Sequence, residues 1–107
     1  MQRFHTRTVY VPHIDEAEYP LFRDGMPFDV RLPPSYDAWL KKTIRRHAAH
    51  RGAGWPTQPV LVTWAEFEAH CLRLRLAPTY ALLTSYATYR GVAEQKLLRP
   101  PPGDDGS

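Results

Sequence analysis

The sequence predicts an α+β fold in which a small antiparallel sheet of two or three strands packs against about three helices. Three observations predict it. One amphipathic helix is sharply bounded between Ser35 and Arg51. Two short stretches near the N-terminus, 6–11 and 28–32, have strand character. Two further helical patterns follow Thr63 and are separated at Ala77-Pro78. With 107 residues, 43% of them apolar, there is room for one domain, expected over 1–98. The last residues, RPPPGDDGS, offer no apolar surface to bury, and 99–107 is expected to be a disordered tail.

The N-terminal run TRTVYV, 6–11, is rich in β-branched and aromatic side chains and stops at Pro12. FDVRL, 28–32, alternates, placing Phe28, Val30 and Leu32 on one face and Asp29 and Arg31 on the other. It is expected to be a strand that pairs with the first. Between them, 13–27 is acidic and punctuated by proline, with a turn at Asp24-Gly25.

The helix that follows has its own start and stop signals. Two prolines precede Ser35, a residue suited to accept from free N–H groups at a helix start. Asp37 lies in the first turn, Arg51 in the last, and Gly52 stands at the position of a left-handed C′ residue. At about 100° per residue, Tyr36, Trp39, Leu40, Thr43, Ile44 and His47 share one side. Lys41, Lys42, Arg45 and Arg46 fall opposite. Five Lys/Arg against one Asp give Ser35–Arg51 a net +4.

Beyond the helix, Val60-Leu61-Val62 fits a third strand or the lead-in to a helix. Thr63 and Glu66 are spaced as a capping box, after which Trp64, Phe67, Cys71 and Leu74 recur at helical spacing. Ala77-Pro78 ends that element and Thr79 is placed to cap the next, in which Tyr80, Leu83 and Ala87 form a stripe; Gly91 suits a C′ residue, and VAEQKLL after it can add two final helical turns.

The chemistry is read mostly by exclusion. No phosphate loop, dinucleotide fingerprint, nucleophile elbow or zinc dyad is present. His47 and His50, and the adjacent His70 and Cys71, do not have metal-ligand spacing, and Cys71 on an apolar stripe reads as a small hydrophobe. No catalytic residue, metal or cofactor is expected. A single cysteine leaves no intramolecular disulfide, the start of the chain lacks an apolar secretory core, and no run is long enough to span a bilayer. A cytoplasmic protein without a membrane partner is the expectation.

Two binding surfaces remain. Lys41, Lys42, Arg45, Arg46 and Arg51 are candidate contacts to the phosphates of double-stranded DNA, in a regulatory or accessory protein that is expected not to be an enzyme. Against that, residues 13–37 carry six acids and two arginines, a net −4, and a helix needs a solvated side whose cations these acids can answer. Trp55, Tyr80, Tyr86 and Tyr89 are candidate contacts to a protein partner, in an adaptor or inhibitor. A homodimer would favour the DNA reading, because paired half-sites need two copies.

Two partial resemblances accompany these readings. FDVRLPPSYDAWLKK resembles the opening of a ribbon-helix-helix repressor over about fifteen residues, and the likeness ends where Gly52 to Val62 intervene. Residues 64–90 resemble a helix-turn-helix in element lengths, with Thr79, Thr84, Ser85 and Thr88 as the side chains that would meet DNA.

Overall fold

The computed structural model describes residues 8–98. Thr6 and Arg7 of the first expected strand, and the 99–107 tail, lie outside the described residues. The elements run β1 (Val9–His13), α1 (Tyr19–Gly25), α2 (Tyr36–Gly52), β2 (Thr57–Leu61), α3 (Trp64–Leu74) and α4 (Tyr80–Leu98).

The sheet is a pair, and it is parallel. This corrects the expected antiparallel arrangement, and the reason lies in 28–32. Leu32 is buried, but Phe28 and Val30 are 93% and 89% exposed, so the alternating face never meets a core. Asp29 turns the chain instead. Its Oδ1 accepts the Arg31 N–H at 3.0 Å, an Asx turn, while Asp29 and Leu32 N–H donate to the carbonyls of Met26 and Asp29. With that segment absent from the sheet, the partner of β1 comes from beyond α2. A parallel pair needs a long crossover connection, which the segment carrying α1 and α2 supplies.

The ladder is bracketed by Val9 N–H donating to Pro56 O and Val62 N–H donating to His13 O. Backbone groups alternate sides along a strand, so Pro12 and Pro59 both fall where the ladder needs no N–H. The outer edge of β2 is closed further by Arg90, which donates to Leu61 O at 2.8 Å. Two short strands thus avoid offering a template to another chain.

α4 packs across both strands. Tyr80, Leu83 and Ala87, which share one stripe, are buried, and so is Tyr86. Gly91 does not end the helix. A Cβ there would overlap the Tyr10 ring, so the glycine lets β1 approach α4. α1, unforeseen in the proline-punctuated segment, buries Tyr19 and Phe22. Phe22 meets Trp64 edge-on and Phe67 face-on, joining α1 to α3. Between α2 and α4, Trp39 Nε1–H donates to the Tyr80 hydroxyl at 3.1 Å in the buried core.

The caps follow the sequence closely. Ser35 Oγ accepts from Ala38 N–H, and Thr63 with Glu66 forms the full capping box. At the other end of α2, Gly52 remains helical, and the positive φ expected there falls at Gly54 (φ 90°). α3 ends on Arg75 in the left-handed region (φ 58°), which makes its terminal LRLRL helical only as far as Leu74.

Candidate nucleic-acid interface

α2 is seated by its first half. Trp39 and Thr43 are buried, while Ile44, expected on the same inner side, is 58% exposed. From Ile44 onward only His47 and His50 are even half-buried. His47 fixes this half to the sheet, with its Nδ1 2.7 Å from Thr57 Oγ1. Burial, reinforced by Arg51 and the neighbouring His50, His13 and Arg46, holds its pKa below the usual imidazole value. The uncharged ring is therefore the form that the packed site favours.

Lys41, Lys42, Arg45, Arg46 and Arg51 are all exposed. At about 100° per residue, Lys41, Arg45, Lys42 and Arg46 occupy one continuous arc, whereas Arg51 sits on the other flank beside Ile44. Lys41 pairs with Asp37 one turn earlier, at 3.3 Å, with both side chains about two-thirds or more in solvent. Among the described residues, Lys42, Arg45, Arg46 and Arg51 enter no ion pair.

Part of the acidic segment is engaged elsewhere. Glu18 Oε1 accepts the Trp64 N–H at 2.7 Å, and Asp29 Oδ2 accepts the Tyr80 N–H at 2.7 Å. Two of its carboxylates therefore sit at the N-termini of α3 and α4, where exposed N–H groups and the helix dipole favour negative charge. Glu66, outside that segment, accepts from Thr63, Tyr86 (2.8 Å) and Arg90 (2.7 Å). Burial alone would raise the Glu66 pKa, but these donors outweigh it and hold the carboxyl below its usual range. Arg90 also pairs with Glu94.

The aromatic candidates divide. Tyr80 and Tyr86 are buried with their hydroxyls occupied, and burial together with the bond to Glu66 pushes the Tyr86 phenol up to about 12. Trp55 and Tyr89 are exposed, at 41% and 65%. Trp55 follows the Gly54 turn and is anchored by its N–H donating to His50 O at 2.8 Å. It lines a groove of about 390 Å³ with Tyr10, His50, Thr84 and Thr88. A second groove, about 360 Å³, shares Thr88 and holds Tyr89, Val92 and Lys96.

The side chains that the helix-turn-helix resemblance would aim at DNA are partly committed. Thr79 Oγ1 accepts from Leu82 N–H, and the Thr84 and Thr88 hydroxyls donate to the Tyr80 and Thr84 carbonyls. Cys71 is buried, which raises its thiol pKa. His70 packs its ring against Tyr86. Among the described residues no three His, Cys, Asp or Glu side chains gather as a metal site, and no helix is long and apolar enough to cross a membrane. Of the groove residues, Thr88 is marked in the sequence only through the helix-turn-helix resemblance, and nothing around His50 or Lys96 marks them for nucleic-acid binding. Only the position of His50, four residues after Arg46, ties one of them to the basic row. No family model matches the chain, nor does any curated protein or solved structure.

Proposed function

We propose that this is a non-enzymatic, DNA-associated accessory or regulatory protein that grips the phosphate backbone with the outer flank of α2. The observation that carries this reading is where the negative charge goes. The acids that precede α2 in sequence include the two that cap α3 and α4, and among the described residues Asp37 alone pairs with a cation of the row. Lys42, Arg45 and Arg46 keep their charge turned to solvent in one arc, with Lys42 one turn before the two arginines, where a phosphate backbone can reach them. Such contacts supply affinity without reading sequence.

The test is fluorescence anisotropy with a random-sequence duplex over a salt series. Binding should weaken steeply with salt, and Arg45→Ala with Arg46→Ala should lower the log–log slope by about 2, close to 0.9 for each phosphate that is no longer neutralised. A flat trace at low salt sinks the reading. A protein-binding adaptor is the second reading, and the near-complete exposure of Phe28 and Val30 supports it. It requires a partner that no longer binds Phe28→Ser and still binds the arginine variants.

A further inference from the structure

We infer that the preferred ligand of this surface is single-stranded nucleic acid, with an unpaired base held in the Trp55 groove. This rests on the phosphate-binding reading of α2 and deepens it. Lys42, Arg46 and His50 are spaced four apart, so they form one row along α2 with about 6 Å of rise between neighbours. The row does not end in open solvent. His50 is itself a wall of the groove that contains Trp55 and Tyr10.

A strand whose phosphates follow the cations is therefore led to an apolar cleft with an exposed indole in it. The cleft, about 390 Å³, falls within the range of small-molecule sites of about 300–1,000 Å³. Its lining is largely apolar, and the Thr84 and Thr88 hydroxyl protons are already given to backbone carbonyls. Their oxygens are left as acceptors, so the site offers stacking and weak polar contact rather than a code.

The path continues. Across Thr88 the second groove presents Tyr89, which is 65% exposed, with Lys96 beside it. Among the described residues Lys96 enters no ion pair. Cation row, exposed aromatic, second exposed aromatic and cation is the arrangement of a backbone-tracking surface with base-stacking platforms. A duplex keeps its bases stacked inside and satisfies only the first part of it.

The experiment compares an oligothymidine with a duplex of equal length at one salt concentration, following anisotropy and tryptophan emission. The oligothymidine should bind more tightly and quench emission. Trp55→Ala should weaken single-strand binding about tenfold, within the range of one missing base–aromatic stack, and leave duplex binding within about twofold. Trp55→Phe, which keeps a stacking ring, should retain most of the affinity. Because it is the milder change, it also separates loss of stacking from loss of folding, and thermal melts of both variants accompany the titrations.

Equal affinity for the two ligands, or single-strand binding unchanged in folded Trp55→Ala, overturns the base site and leaves the phosphate reading standing. Absence of binding to either nucleic acid at low salt overturns both. A peptide or protein that occupies the groove in place of the oligonucleotide, and no longer binds Trp55→Ala, overturns the base site in favour of the adaptor.

Discussion

At Gly91 two residue-level effects compete, and their magnitudes decide the sign of a mutation. A glycine inside a helix costs about 1 kcal/mol relative to alanine, so Gly91→Ala would stabilise an isolated α4. In the folded chain the added Cβ would lie 2.6 Å from Tyr10 Cε1 and Cγ and closer still to Cδ1, the body of a ring pinned between β1 and α4. Overpacking of this kind costs about 1–3 kcal/mol, which exceeds the propensity gain. Gly91→Ala should therefore destabilise the protein by about 1 kcal/mol in urea denaturation. The same substitution made in a Tyr10→Leu background should become neutral or stabilising, because the ring that forbids the methyl is gone. A destabilisation of equal size in both backgrounds would show that the clash is not the cause.

At the scale of elements, the helices are held at their beginnings by groups distant in sequence. Asp29 accepts from Arg31 in its own turn and from Tyr80 at the start of α4, and Arg31 lies 6.0 Å from the centre of the Tyr80 ring. One carboxylate therefore shapes the 26–33 loop and satisfies a free N–H of α4. Asp29→Ala should cost about 1–2 kcal/mol, the size of a missing cap at a helix N-terminus, and Asp29→Asn should cost less because an acceptor remains. Thermal or urea unfolding reads both, and equal losses would assign the effect to charge alone. The same carboxylate explains what the sequence shows and hides. Caps written locally are legible: Ser35, Thr63 with Glu66, and Thr79 all act where their spacing places them. Asp29 sits in an alternation that reads as a strand, yet its Oδ1 forms a local turn and its Oδ2 meets α4, a contact that the local sequence does not announce. The parallel pair is hidden for the same reason, since β1 finds β2 across the whole length of α1 and α2. In the candidate site, the exposed cations of α2 are legible from helical spacing. The burial of Tyr80 and Tyr86 is not, because it depends on Trp39 and Glu66 arriving from other elements.

Over the whole molecule, charge is segregated more strongly than the net +3 suggests. Glu18, Asp29 and Glu66 serve helix starts or the Arg90 network, and the α2 flank is left with Lys42 and Arg46 one turn apart, as are Lys41 and Arg45. Like charges at that spacing destabilise a helix by about 0.2–0.5 kcal/mol per pair. A surface that only needed to be wet would gain by mixing its signs, whereas a phosphate-binding surface tolerates this cost for function. Stability and binding should consequently move in opposite directions. Lys42→Gln with Arg46→Gln should raise the melting temperature by about 1–4 °C at low salt, given about 4–8 °C per kcal/mol for a domain of this size. The difference should shrink as added salt shortens the screening length to a few ångströms, about 3 Å at 1 M. The same variant should bind a duplex more weakly, with its log–log salt slope reduced by about 2. A rise in melting temperature with duplex affinity and slope unchanged would mean that the flank is only a solvated face, and the nucleic-acid assignment would fall with it.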